Sequence, residues 1–256
     1  MTRNVCENLR RYAIFYQSKF EYEKSLDFAS FGDLERAEGY LRKAIDLNGR
    51  DFTLMNDLGV LCLDIHRLKM AAPKEKIAYS NEYRTEAERQ FRRSLALEPD
   101  QQRAHYNLSV VHSAYPDKKD EDYEIARQEL QRALQLPKWQ QFPPVDAVKA
   151  LLFYNLGCSQ GWLLGTKAPS GIVLTPQAAG VEPCLENLRN AAKLGREGIE
   201  AIGKDTVERD FKWDQADAPA PDQEGDLVEL YRKGSQDLKL ALEGVKQELL
   251  TSAAKS

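Results

Sequence analysis

A hydrophobic spacing of three and four residues returns four times along the chain. Ala37-x3-Leu41-x2-Ala44-x2-Leu47 is echoed by Ala87-x3-Phe91-x2-Ser94-x2-Leu97 and Ala126-x3-Leu130-x2-Ala133-x2-Leu136, and then by Cys184-x3-Leu188-x2-Ala191-x2-Leu194. Steps of three and four place all the positions of one copy on a single helical face. A looser pattern precedes the last three copies: Met55-x2-Leu58-Gly59-x2-Cys62, His105-x2-Leu108-Ser109-x2-His112 and Phe153-x2-Leu156-Gly157-x2-Gln160. Within it the run Asn-Leu-small recurs, as Asn107-Leu108-Ser109 and Asn155-Leu156-Gly157. A small residue such as Gly59 or Ala37 lets two helices approach closely, and a large one fills the groove between them. Pro99 and Pro137 fall just beyond Leu97 and Leu136, where a missing N–H ends a helix at little cost. The pattern predicts an all-α chain built from successive helix pairs.

The looser pattern resembles the W-x2-L-G-x2-Y signature that opens a unit of the tetratricopeptide-repeat (TPR) family, and the stronger one resembles that unit's second helix. The resemblance covers roughly residues 18 to 200 and implies a right-handed superhelical solenoid of antiparallel helix pairs, about four units long. The chain departs from the family in length. A family unit has roughly 34 residues, whereas Gly59 to Ser109 is 50 residues and Ser109 to Gly157 is 48. Insertions are expected near 67–82, 116–122 and 166–183, at the turn between the two helices of a unit. The first unit lacks the leading motif, with Glu21, Lys24 and Ser25 where a bulky residue, leucine and glycine are expected.

The array is assigned to residues 1–202. At the N-terminus Arg3, Arg10, Arg11 and Lys19 accompany one acid, Glu7, as in a targeting peptide. However, Val5, Leu9, Ala13, Ile14 and Tyr16 run on as a helical pattern, so the segment reads as a structural helix. Residues 203–225 mix charge and proline and read as a linker, in which Phe211 and Trp213 either clamp the loop onto the last repeat or face a ligand. A single helix is predicted over 226–253, starting at Asp226 with Glu229 in a capping-box arrangement. Its apolar positions are Leu227, Tyr231, Leu238, Leu242, Val245 and Leu249. It reads as a capping helix for the solenoid, because Gly234 and Gly244 weaken a dimerising coiled coil.

Composition then narrows the function. A net charge of −4 and a pI near 5.6 argue against nucleic-acid binding, which needs a concentrated basic surface. No apolar run approaches the roughly 18 residues of a membrane span. Cys6, Cys62, Cys158 and Cys184 are far apart inside apolar patterns, and read as buried thiols of a reducing compartment, the cytoplasm. His105 and His112 are seven residues apart on one helix, a rise of about 10.5 Å, too far to share a metal ion. There is no phosphate-binding glycine loop and no nucleophile elbow. Gly157, Gly161 and Gly165 follow no strand and fit helical spacing. Carboxylates such as Glu82 and Glu88 lie on charge-mixed faces, where solvation is the usual role. The reading predicts no catalytic residue, no metal ligand and no cofactor.

The TPR resemblance implies a concave groove lined by the first helices. In the second unit it assigns Thr53, Asn56, Val60, Leu63 and Asp64 to that groove. In the third it assigns Arg103, Tyr106, Asn107, Val110 and Ser113, and in the fourth Leu151, Tyr154, Asn155, Cys158 and Trp162. No lysine stands among them, so the family's two-lysine carboxylate clamp is not expected. Asn56, Arg103, Tyr106, Asn107, Val110, Tyr154, Asn155 and Trp162 are the candidates for holding a peptide, through aromatic and arginine anchors and backbone-binding amides. Each also has a packing role open to it. The expected function is an adaptor or scaffold holding a protein or peptide segment. The alternatives are self-assembly into a homo-oligomer through the terminal helix or insertions, and regulation of a separate enzyme.

Overall fold

A computed structural model describes residues 2–24, 31–70, 78–113, 119–136, 145–194, 200, 202–211 and 227–254. Among them the chain is helical apart from turns and one isolated β-bridge. The helices are α1 (Thr2–Lys24), α2 (Phe31–Leu47), α3 (Phe52–Met70), α4 (Ala78–Leu97), α5 (Gln102–Ser113) and α6 (Asp120–Gln135). They continue with α7 (Val145–Lys167), α8 (Val181–Lys193), α9 (Lys204–Asp210), α10 (Val228–Arg232) and α11 (Gln236–Ala254). The chain forms two units, Met1–Val111 and His112–Ser256. No helix among the described residues is long and apolar enough to cross a membrane.

In the first unit α1 packs on α2, α2 on α3 and α3 on α4. The α3–α4 pair is antiparallel. Phe52 O accepts from Ser94 Oγ at 2.8 Å, Gly59 faces Phe91, and the Lys69 ammonium lies 4.3 Å from the Tyr83 ring centre. A Cβ on Gly59 would come within 2.5 Å of Phe91 Cε1, so the small residue of the first helix seats the large residue of the second. Ala37, Leu41, Ala44, Ala87, Phe91 and Ser94 are buried, as their spacing predicts. Leu47 and Leu97, the last positions of those copies, are 50% and 43% exposed because their helices end there. Gln101 closes α4, donating from Nε2 to Glu98 O at 2.6 Å, just past the helix end, and to Ser94 O at 3.0 Å, which also accepts the Glu98 N–H.

The N-terminal segment is a structural helix as expected, but it corrects where the first unit begins. It runs from Thr2 to Lys24 and pairs with α2, so Glu21 and Lys24 lie at its end instead of opening it. Ser25 falls outside the described residues. Its seam is Cys6, Ala13 and Phe20, all buried at a spacing of seven. That spacing returns to one face about every two turns and serves where the leading motif is missing. The first insertion is also shorter than expected, since 67–70 and 78–82 are helical. The second gives up 120–122 to α6, where Asp122 Oδ2 accepts the Lys119 N–H at 3.0 Å, half of a capping box.

In the second unit α7 packs on α6, α8 and α10, and α11 packs on α8, α9 and α10. Gly157, Gly161 and Gly165 form a trough on α7. A Cβ at these positions would lie 2.6 Å from Leu188 Cγ, 2.3 Å from Leu227 Cδ2 and 2.6 Å from Leu230 N. The single helix expected over 226–253 is broken. Leu174 donates to Lys233 O at 2.8 Å and accepts from Ser235 N at 2.7 Å, a bridge that parts α10 from α11. Ser235 Oγ then accepts Leu238 N at 3.2 Å as the N-cap of α11. Asp226 lies outside the described residues, and Leu227, with no side-chain cap bond, stands at the N-cap of α10. The expected linker over 203–225 holds α9, and Phe211 is fully buried in the core of this unit with Leu238 and Leu242. Trp213 lies outside the described residues. The third insertion includes turns over 168–180, anchored by buried Leu174.

Candidate functional site

The first helices of the first unit converge on a small open cavity of about 180 Å³, lined by Arg10, Ala13, Ile14, Gln17, Leu41, Asp57, Val60 and Arg103. Ala13, Ile14, Leu41 and Val60 supply apolar wall, and the polar groups stand together. Asp57 on α3 accepts from Arg10 Nε of α1 at 2.7 Å, and Arg103 Nη1 of α5 lies 3.8 Å from its other oxygen. Two turns further along, Gln17 Nε2 donates to Asp64 Oδ2 at 3.1 Å. Arg10 to Asp57 and Gln17 to Asp64 span the same 47 residues, so α1 and α3 stack in register. At 3.8 Å the Arg103 pair is too long for a hydrogen bond, and its side chain is 49% exposed. Two guanidinium groups therefore face one carboxylate across an apolar wall. Such a place can take a further carboxylate or carbonyl oxygen, with aliphatic groups against Val60 and Ile14.

The predicted groove residues divide by exposure. Arg103 and Val60 line the cavity, and Tyr106 is half-buried. Asn56 and Asn107 are buried, and Asn107 Nδ2 donates to Asn56 Oδ1 at 3.2 Å, so this amide pair ties α5 to α3. Val110 is buried as well. In the second unit Tyr154 is 1% exposed, and its hydroxyl donates to Asp210 Oδ2 of α9 at 2.9 Å. Trp162 is half-buried and stacks on Tyr123, with centroids 4.7 Å apart at 14°. Asn155 is half-buried. Arg10, Gln17 and Asp57 were not among the predicted groove residues. The helical pattern over Val5–Tyr16 predicts α1, but seeking the leading motif at Glu21–Ser25 leaves that helix off the groove; the seven-residue recurrence of Cys6, Ala13 and Phe20 is the signal that pairs it with α2.

A second polar cluster joins α2, α3 and α4. Arg42 bridges Glu38 at 2.8 Å and Glu86 at 3.2 Å, and Tyr83 Oη donates to Glu38 at 3.4 Å. Burial, with Glu38 beside it, pushes the Tyr83 phenol up to about 12. Burial would raise Glu86, but hydrogen bonds from Gln90 and Arg89 outweigh it and hold the carboxyl below its ordinary value. Burial also drives the Cys62 thiol far up, with Glu38 and Glu86 adding to the shift. The Cys184 thiol rises to about 12 through burial alone. Thiols raised in this way stay protonated at neutral pH and act as packing groups. The two histidines of α5 have partners of their own: His105 Nε2 at 3.0 Å from Pro99 O, and His112 Nδ1 at 2.9 Å from Asp122 Oδ1. No family model matches this chain, and no curated protein is similar enough to stand as a relative.

Proposed function

We propose that this chain is a TPR-like interaction module, an adaptor or scaffold of the cytoplasm that holds a peptide or protein segment on the face formed by α1, α3 and α5. The observation that carries the reading is the Arg10–Asp57–Arg103 constellation over an apolar wall, since arginine beside apolar side chains is a common anchor at interfaces. Half-buried Tyr106 on α5 adds an aromatic contact. The seating of Phe91 against Gly59 and of Leu188 against Gly157 supports the TPR-like pairing. The placement of Cys6, Cys62, Cys158 and Cys184 as buried packing groups far apart in the chain is consistent with a cytoplasmic home.

The test uses peptides selected against the full chain from a random display library. They are expected to bind Arg10→Ala/Arg103→Ala about tenfold more weakly, a loss of about 1.4 kcal/mol. Titration of labelled peptide by fluorescence anisotropy reads the change. Selected peptides that bind the double variant as well as the parent, with its helical content intact, would sink the assignment.

A further inference from the structure

A second surface stands out on α1 and α2. Tyr40 lies between Tyr12 and Tyr16, with ring centres 5.4 and 5.8 Å away and planes at 29° and 10°. Phe15 meets Tyr16 edge-on at 5.3 Å. Tyr12 and Phe15 remain 56% and 59% exposed, and Val5, seven residues before Tyr12 on the same helical face, is 43% exposed. Contiguous exposed aromatic side chains of this kind mark interaction sites. The stack is already ordered, so a partner meets it with little loss of rotamer entropy.

The charge beside this surface is positive, although the chain as a whole carries −4. The Arg36 guanidinium lies 5.6 Å from the Tyr16 ring centre and the Lys43 ammonium 5.9 Å from that of Tyr40. Asp33 accepts from Lys19 at 2.5 Å and from Arg36 at 3.2 Å, but its carboxylate is sunk, with a side chain only 3% exposed. Lys19 and Arg36 are 38% and 63% exposed. Lys19 and Arg36 pair with the one buried carboxylate, while Arg36 and Lys43 each stand beside a ring of the stack, so two cations line the aromatic surface. Glu7, on the same helix, is taken up by Arg11 at 3.4 Å. Arg36 and Lys43 are seven residues apart on α2, about 10.5 Å along the axis. Carboxylates at i and i+7 of a facing helix have the same separation.

We propose that this face docks an acidic amphipathic helix of a partner protein, with its apolar stripe on Val5, Tyr12 and Phe15 and its carboxylates on Arg36 and Lys43. Charge complementarity selects this occupant. A second copy of the chain meeting the same patch about a twofold axis would bring cations against cations.

The test uses the full chain and two labelled synthetic helices of about five turns, with the same leucine stripe flanked by glutamates in one and by lysines in the other. The glutamate helix is expected to bind at least about tenfold more tightly. Phe15→Ser should weaken it, and Lys43→Glu, which leaves the Asp33 pairs in place, should narrow the preference. Arg10→Ala/Arg103→Ala should leave this binding unchanged, which separates it from the groove on α1, α3 and α5. The proposal falls if the two helices bind equally or if Phe15→Ser changes nothing. It also falls if sedimentation shows a dimer that Phe15→Ser dissolves, since a second copy then covers the face. Competition by a single-stranded oligonucleotide that depends on Tyr12 and Phe15 would equally overturn it, as stacked bases would be the occupant. Phe15 is 59% exposed, so Phe15→Ser is expected to keep the helical content of the parent.

Discussion

Gly39 and Gly165 are both helical glycines, and they differ in what lies beyond the missing Cβ. At Gly165 an added Cβ would stand 2.6 Å from Leu230 N and 2.8 Å from Glu229 C. Those are backbone atoms, which no rotamer change can move aside. Gly165→Ala is expected to cost about 1–3 kcal/mol, the usual cost of overpacking. At Gly39 nothing lies within 4 Å, and Gly39→Ala should gain about 0.5–1 kcal/mol from helix propensity alone. Urea unfolding of the two variants checks both signs; a neutral Gly165→Ala would mean that α10 does not rest on α7. The trough made by Gly157, Gly161 and Gly165 was visible in the sequence only as helical spacing. Which helix filled it depended on Leu188, Leu227 and Leu230 arriving from distant positions.

At the scale of one element, α6 carries a pH-dependent contribution. Arg127 hydrogen-bonds Glu124 and holds its carboxyl down at about 2, against an ordinary value of 4.5. A folded-state value below the unfolded one adds stability above pH 4.5, and the contribution is lost as pH falls from there towards 2. The pair is partly exposed, so the effect is small. Glu124→Gln should lower stability slightly and evenly between pH 7 and 9, where the contribution is fully present, and flatten that part of the acid limb, as followed by urea unfolding at stepped pH. An acid limb of the same slope in both proteins would assign the loss to other carboxylates. At this same scale the C-terminal helix departs from its pattern. Its apolar spacing runs through Gly234, but the Leu174 bridge to Lys233 and Ser235 supplies outside partners for the backbone where the helix stops. That partner comes from the third insertion, 60 residues upstream of Gly234, and no local spacing can announce it.

For the whole molecule the four buried thiols report on both units. Cys6 and Cys62 lie in Met1–Val111, and Cys158 and Cys184 in His112–Ser256. Asp210→Ala removes the acceptor of the Tyr154 hydroxyl and should cost about 1–3 kcal/mol in the second unit. Labelling of Cys158 and Cys184 at pH 8 should then quicken by about fivefold or more, while Cys6 and Cys62 keep their rates. Mass spectrometry of the labelled peptides reads each site separately. Equal acceleration at all four would show that the two units open together.

The sequence by itself located most of the helices and the pairing of α3 with α4 and of α7 with α8. Periodicity of three and four is a local property, and it located α2, α4, α6 and α8 and the small residues that seat Phe91 and Leu188. The resemblance it carries also marked Asn56, Asn107 and Tyr154 as groove candidates, without deciding whether they faced solvent or core. Burial depends on what packs over a side chain from elsewhere in the chain. Tertiary structure alone placed Asp210 on Tyr154 and Asn107 on Asn56, turning three groove candidates into internal contacts. It alone brought Arg10 and Arg103 to Asp57 across 47 and 46 residues. Charged pairs of that kind leave no periodic trace, because each member is an ordinary exposed residue of its own helix until the helices stack.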